Sequence, residues 1–245
     1  MASKGVFTIL SNAPLTDSVW EMHLAGDTTA VTHAGQFVNI ELEGLYLRRP
    51  ISISDWKEGE LTIIYKVVGE GTARLAQMKA GAELDLLVGL GNGFWSVPEE
   101  RVVLVGGGVG VPPLYGLARR LMADGKSVSV VLGFNTAAEI FLQEKFEALG
   151  ARVVVATMDG SAGVKGTVID AIRGEAVEYD YFYSCGPLPM LRALCEQSSG
   201  EGQVSLEERM GCGFGICMGC THETHSGHKR ICKEGPVLLK SDVVW

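Results

Sequence analysis

Chemistry concentrates first in the cysteines. Of six, Cys185 and Cys195 stand apart, whereas Cys212, Cys217, Cys220 and Cys232 follow one another as C-x4-C-x2-C-x11-C. Three thiols on one tight loop, with a fourth returning from a separate strand, is the spacing that holds a [2Fe–2S] cluster. Gly211, Gly213, Gly215 and Gly219 lie among them, where backbone must pass close to sulfur and donate N–H groups without a Cβ in the way. Structural zinc is the competing reading, but zinc usually takes two pairs of ligands about two to four residues apart. His222, His225 and His228 read as solvated hairpin residues rather than ligands.

Further stretches carry groups suited to phosphates. Arg48-Arg49-Pro50-Ile51-Ser52-Ile53-Ser54 offers an arginine fork, a geometry that grips a pyrophosphate. Ile64-Tyr65-Lys66-Val67-Val68-Gly69-Glu70-Gly71-Thr72 runs into a helix whose first amides and dipole would favour an anion; a plain N-cap at Gly71-Thr72 is the alternative. Val102-Val103-Leu104-Val105-Gly106-Gly107-Gly108-Val109-Gly110-Val111-Pro112 reads as strand, glycine loop and helix. Val111 stands where the dinucleotide fingerprint has its last glycine. Ser184-Cys185-Gly186-Pro187 lies between a strand and a helix, and by itself Cys185 reads as a small buried residue. After the second strand of that half, Gly133-Phe134-Asn135-Thr136-Ala137-Ala138-Glu139 carries no arginine to accept a 2′-phosphate, which favours NAD over NADP.

The elements that must position these groups change texture along the chain. From about 5 to 98, apolar runs at 7–10, 19–24, 37–42, 61–67 and 84–88 alternate with turn signals, the pattern of an antiparallel barrel. A helix is expected at 72–78, and the Arg48-Arg49 stretch is expected between two strands. From about 100 to 200, continuous apolar strands at 101–105, 128–133, 151–157 and 181–184 alternate with helical segments at 112–122, 138–148 and 189–197, with 168–172 between. That rhythm implies a parallel sheet covered on both faces. The last 40 or so residues hold too few large apolar side chains for a core of their own and are expected to need a metal to fold. The expected division is 1–98, a FAD-binding β-barrel; 99–203, an NAD-binding α/β domain; and 204–245, a small [2Fe–2S] domain.

Composition narrows the class. With 245 residues the chain can bury a sizeable core. A net charge of −8 argues against nucleic acid, which rewards clustered cations. No apolar run approaches the roughly 20 residues that span a bilayer. The opening Met1-Ala2-Ser3-Lys4-Gly5 lacks the apolar stretch of a signal peptide, so a cytoplasmic location is expected, where thiols stay reduced.

In order and separation these stretches resemble the ferredoxin–NADP reductase superfamily from about residue 5 to 200. Arg49-Pro50-Ile51-Ser52 is similar to its R-x-[YI]-S flavin motif, with Ile51 where many members carry tyrosine, so ring stacking is lost there. The resemblance implies FAD held by Arg49, Pro50, Ile51, Ser52, Ile64, Tyr65, Lys66, Gly71 and Thr72. Gly106, Gly107, Gly108 and Gly110 resemble the superfamily's GGG-x-G-[VI]-x-P loop, which faces the nicotinamide dinucleotide. Cys185, Gly186 and Pro187 resemble its C-G-P motif, whose cysteine, the catalytic candidate, lies beside nicotinamide C4.

The C-terminal stretch narrows the resemblance. Glu208-Arg209-Met210-Gly211-Cys212-Gly213-Phe214-Gly215-Ile216-Cys217-Met218-Gly219-Cys220, closing with Lys229-Arg230-Ile231-Cys232-Lys233-Glu234-Gly235-Pro236, looks like the PyrK-type electron-transfer subunits of class 1B dihydroorotate dehydrogenases. That family implies an FMN-containing catalytic partner, two of each subunit in a heterotetramer, and electrons passing from dihydroorotate through the cluster and FAD to NAD⁺ in pyrimidine biosynthesis. The same architecture also suits the FAD/[2Fe–2S] subunit of an NAD(P)H:ferredoxin oxidoreductase or sulfhydrogenase, an oxygenase reductase, or a redox sensor.

Overall fold

Residues 2–245 are described by a computed structural model. The first six strands are β1 (Ser3–Pro14), β2 (Val19–Ala25), β3 (Phe37–Ile40), β4 (Arg49–Lys57), β5 (Glu60–Lys66) and β6 (Glu83–Leu90), with helix α1 (Glu70–Gln77) before the last. They close into an antiparallel barrel in the order β1-β2-β5-β4-β3-β6. Strict alternation sets each strand's inner face: Leu84, Leu86 and Val88 of β6 point inward with Phe7, Met22, Val38, Ile40 and Ile63.

Two local expectations shift. The Arg49-Pro50-Ile51-Ser52 stretch does not lie between strands but opens β4, pairing with β3 as Arg49↔Ile40 to Ser52↔Phe37. Proline is tolerated there because it sits at the start of a strand, where a missing N–H costs least. Helix α1 begins at Glu70 rather than at 72. Thr72 Oγ1 accepts from the Val68 and Gly69 amides at 2.9 and 3.3 Å, so the chain is already capped at Gly69.

The second half alternates β7 (Arg101–Gly107), α2 (Pro112–Ala123), β8 (Ser127–Phe134), α3 (Gln143–Ala148), β9 (Arg152–Thr157), β10 (Val164–Lys165), α4 (Val168–Gly174), β11 (Tyr181–Cys185), α5 (Leu188–Gln197) and β12 (Glu201–Ser205). The sheet order is β10-β9-β8-β7-β11-β12, parallel throughout. Strand β12 escapes a reading by hydrophobicity because Gly202 and Gln203 interrupt it. Gly202 lets the Phe182 ring approach within 2.4 Å of where a Cβ would stand, and buried Gln203 bonds both main-chain polar groups of Trp95.

The remaining strands are the hairpin β13 (Thr221–Thr224) and β14 (Gly227–Arg230), then β15 (Val237–Leu239). Strand β15 runs antiparallel to β12 and becomes the seventh strand of the large sheet. The C-terminal segment's shortage of apolar residues is met by sharing. Cys220, Ile231, Cys232 and Leu238 join one core with Val103, Val105, Phe182 and Leu191 of the parallel sheet and with Phe37 of the barrel.

Helix α2 ties barrel to sheet. Gly116 allows the closest approach, since a Cβ there would stand 2.7 Å from the Ser54 carbonyl oxygen of β4. One turn on, Arg119 donates to Asp55 at 2.6 Å and to the Trp56 carbonyl at 3.0 Å, and Arg120 lies 3.6 Å above the Trp56 ring centre. Gly116→Val is expected to force the two bodies apart and cost about 1–3 kcal/mol of stability. Thermal unfolding would measure it, and an unchanged midpoint would mean that this contact does not hold them together.

Candidate functional site

The cysteine loop follows β12. Its sulfurs fall into two pairs. Cys220 and Cys232 Sγ lie 3.2 Å apart and are 2% exposed, whereas Cys212 is half-buried and Cys217 exposed. Backbone amides point at the sulfurs: Ile216 and Cys217 toward Cys212 at 3.4 and 3.5 Å, Gly219 toward Cys217 at 3.4 Å, and Cys232 toward Cys220 at 3.4 Å. A Cβ on Gly211 would stand 3.2 Å from Cys217 Sγ. Burial works against ionising Cys212, yet the amides of Cys217, Phe214 and Ile216 bring its thiol down to about 6, and the thiolate is the metal-binding form. For Cys232, burial pushes the thiol up to about 12, with the Cys220 and Cys212 sulfurs adding to it, so Cys232 needs a positive centre nearby to ionise. Among the described residues no three His, Cys, Asp or Glu side chains are arranged for a single ion. Two pairs fit a two-iron cluster with four cysteines.

What holds this loop was not read from the sequence. Arg230 spans it, donating through Nη1 to the Gly215 carbonyl and through Nε and Nη2 to Glu234. Those bonds hold the Glu234 carboxyl down to about 2. Asn92, from the segment joining barrel to sheet, donates to the Glu234 and Val237 carbonyls at 3.0 and 2.7 Å and accepts from the Val237 amide at 3.1 Å. The Arg-x3-Glu spacing was visible; the Asn92 clamp, 145 residues from its partner, was not.

On the barrel, Arg49 and Gly71 meet. A Cβ on Gly71 would lie 2.3 Å from Arg49 Nε, so the guanidinium rests against the first turn of α1. The amides of that turn precede Ala73, whose N–H donates to Gly69 at 2.9 Å. Cation and unspent amides together could hold a pyrophosphate. Arg48 is spent elsewhere, bonding Glu41, Asp85 Oδ1 at 2.7 Å and the Asp85 and Asn39 carbonyls at 3.1 and 3.3 Å. Pro50, Ile51 and Ser52 are half-buried beside Arg49 on β4, and Lys66 is half-buried at the end of β5.

Three of the expected flavin residues give their side chains to the fold. Tyr65 points into the barrel, 2% exposed, and its hydroxyl donates to Asn12 at 2.9 Å; burial pushes the phenol up to about 12, against the pull of Asn12. Ile64 faces the opposite way, into the core beneath α2. The Thr72 hydroxyl is consumed by the cap. Only their main chains are open to a ligand.

The glycine loop and the C-G-P loop are brought together across adjacent strands, with Cys185 opposite Gly106. Cβ atoms would stand 2.9 Å from Pro187 Cδ at Gly107 and 2.3 Å from the Cys185 carbonyl at Gly110, and Gly186 would meet the Gly107 amide at 3.0 Å. Gly108, at φ +51°, has open space in front of it. Both loops lie at the carboxyl ends of the parallel strands, where open α/β sheets bind ligands. Cys185 is half-buried; burial pushes its thiol up to about 12, only partly opposed by the Ser205 hydroxyl. The thiol is therefore held in its neutral form at neutral pH. Glu139 accepts from the amide and side chain of Asn135 at 3.1 and 2.9 Å, setting a carboxylate just past β8. A cavity of about 470 Å³ lies at the other end of the strands, but its Arg101, Lys126 and Arg152 already bind carboxylates or carbonyls of the chain.

Residues 207–244 match the family described as the iron-sulfur cluster binding domain of dihydroorotate dehydrogenase B, and residues 104–196 match the oxidoreductase NAD-binding domain. The chain is 42% identical to the dihydroorotate dehydrogenase B (NAD(+)) electron transfer subunit of Geobacillus kaustophilus, with 100% of both chains covered. It is 41% identical, over 96% of both chains, to the protein of that name from Fusobacterium nucleatum. Among solved structures it is similar to an NADH-dependent reduced ferredoxin-NADP oxidoreductase studied for flavin-based electron bifurcation. That likeness has 30% identity and a TM-score of 0.87, covering 98% of this chain and 90% of that one.

Cys217→Ser is expected to abolish the visible and EPR signals of a [2Fe–2S] cluster while the flavin stays bound, since the flavin-motif residues lie on other elements; a normal cluster spectrum would refute the ligand set. Arg49→Ala is expected to weaken FAD retention by about 1.5–3 kcal/mol, whereas Arg48→Ala should cost stability and leave FAD bound. Equal FAD loss from the two variants, titrated in parallel, would contradict the division between the two arginines.

Proposed function

The chain belongs to the electron-transfer subunits of dihydroorotate dehydrogenase B, and on that premise we propose that it takes electrons from a separate FMN-containing catalytic subunit and delivers them to NAD⁺. When bound, FAD exchanges electrons in pairs with nicotinamide and singly with the iron–sulfur centre. The rest is supplied by the chain's own residues. Arg49 and the first amides of α1 hold the flavin pyrophosphate, and Pro50, Ile51 and Ser52 line the strand beside it. Gly106, Gly107, Gly108 and Gly110 admit the dinucleotide backbone, while Gly186 and Pro187 wall its other side. Cys185 offers an uncharged sulfur against the nicotinamide ring. Glu139 would repel a 2′-phosphate and suits the ribose hydroxyls of NAD.

The observation that carries this reading is the asymmetry of the four thiols. Cys220 and Cys232 are sealed in the core shared with the sheet and barrel, whereas Cys217 is open to solvent. A centre held that way has an inner side toward the chain's own cofactors and an outer side toward a partner. Around the outer side, Phe214, Ile216 and Met218 are 46, 75 and 53% exposed, apolar surface of the sort that marks a protein interface. We assign that surface to the catalytic subunit, in a complex of two subunits of each kind. Among the described residues no helix is long and apolar enough to cross a membrane, and all six cysteines are free, which suits a reducing cytoplasm. The likeness to a ferredoxin-NADP oxidoreductase keeps one second reading, a subunit serving ferredoxin instead.

The isolated chain should oxidise NADH with an artificial acceptor and form no orotate from dihydroorotate until the FMN subunit is added. Orotate formation by the isolated chain would refute the assignment, and ferredoxin reduction without any response to the FMN subunit would favour the second reading. Phe214→Asp or Met218→Asp should slow electron entry from the partner by roughly tenfold or more, the scale of a disrupted interface anchor, while NADH diaphorase activity persists. Stopped-flow measurement of the two half-reactions would separate these effects.

A further inference from the structure

Asn39 lies on β3 among apolar neighbours and belongs to none of the sequence motifs. It is 1% exposed, and its Oδ1 has no hydrogen-bond partner. A buried acceptor left unpaired has given up its water without a replacement bond, so its retention calls for a reason. Its place suggests one. Directly opposed residues of an antiparallel pair share a face. Asn39 is opposite Pro50 and Phe37 is opposite Ser52, so these four side chains share the outer face of β3 and β4. Val38 and Ile40 turn the other way, into the barrel core. Asn39 thus shares a face with Pro50 and Ser52 of the flavin motif, whereas Arg49 and Ile51, opposite Ile40 and Val38, take the other face of the same strand. The same side chain touches the cysteine loop: Nδ2 donates to the Cys212 carbonyl at 3.4 Å, and Gly213, at φ +79°, leaves room for it, since a Cβ there would stand 2.4 Å from Nδ2. Phe37, its neighbour on this face, packs into the core that contains Cys220 and Cys232.

Resting on the family reading above, we propose that Asn39 is the positioning residue that joins the iron–sulfur loop to the barrel strand bearing the flavin motif, on the side of Pro50 and Ser52. It anchors Cys212 through Nδ2 and keeps Oδ1 for an N–H donor that comes into place only in the cofactor-loaded protein. In each transfer one electron leaves the cluster, which is oxidised, and enters the flavin, which is reduced; the Asn39 amide forms no bond to either and exchanges no proton. Its contribution is to hold the spacing, on which tunnelling depends steeply, and the dipole next to one iron ligand.

The test compares the full-length, cofactor-loaded wild type with Asn39→Leu, close in size but without polar atoms, and with Gly213→Ala, which disturbs the same contact from the loop side. The expected result in both is an EPR spectrum of the reduced cluster with altered g-values. After mixing with NADH, the ratio of cluster-reduction rate to flavin-reduction rate should fall by roughly tenfold or more, as when an outer partner of a metal ligand is removed. Loss of the cluster with retention of FAD would equally support the proposal, since it shows the loop losing its anchor. A wild-type EPR spectrum and rate ratio in Asn39→Leu would overturn it, as would joint loss of FAD and cluster, which would make Asn39 a residue of barrel stability alone. Wild-type protein lacking an NADH-reducible cluster would instead overturn the family reading beneath the proposal.

Discussion

Four sulfurs destined to be thiolates repel one another, and Cys220 and Cys232 stand only 3.2 Å apart in a region nearly closed to water. A short glycine-rich loop has no means of opposing that repulsion, because each glycine adds chain entropy and removes a packing surface. The opposition comes from outside the loop. Backbone N–H groups aim at three of the sulfurs, and the Arg230–Glu234 clasp binds the loop to the segment after the fourth cysteine. Asn92 fixes the start of β15, and β15 is stitched to β12. Much of the molecule's C-terminal architecture follows from the need to hold these sulfurs together.

The same need explains why the cysteine segment is not an appendage. Its inner side shares a core with the parallel sheet and with Phe37 of the barrel, so the sulfurs lie in register with both bodies. On the other side of the molecule, α2 plays the equivalent part. With Gly116 flat against Ser54 and the two following arginines gripping Asp55 and Trp56, the barrel strand that opens with Arg49 is locked to the helix that follows the glycine loop. Barrel, sheet and cysteine loop therefore fix one another pairwise. Electron and hydride movements, which tolerate little change in spacing, call for that rigidity.

Charge is distributed to the same end. Arg48 is neutralised by Glu41 and Asp85, while Arg49, one residue on, lies against the bare first turn of α1. Burial would discourage ionisation of Asp85, but its bonds to Lys4 and Arg48 keep it below the ordinary carboxylate range. Its stabilising contribution is therefore complete above that range and is lost as the pH falls below it, through the lowered value of the folded protein. The strand pleat does the sorting: neighbouring residues emerge on opposite sides, and only one of the two arginines can reach Gly71.

By itself the sequence determined whatever depends on local spacing. The order C-x4-C-x2-C-x11-C, the glycine loop between an apolar strand and a helix, and the change from alternating to continuous apolar strands are each set by residues within a turn or a strand of one another. Tertiary structure decided what depends on facing and on distant partners. It turned Tyr65 into the barrel core and Ile64 the other way, spent Thr72 on a cap, and placed the R-P-I-S stretch within β4 rather than between strands. It also carried β15 back to β12 across the cysteine hairpin and set Asn39 against a carbonyl 173 residues away. No local pattern encodes such choices, because the face a side chain presents is set by register with a strand elsewhere in the chain, and a one-residue slip reverses it.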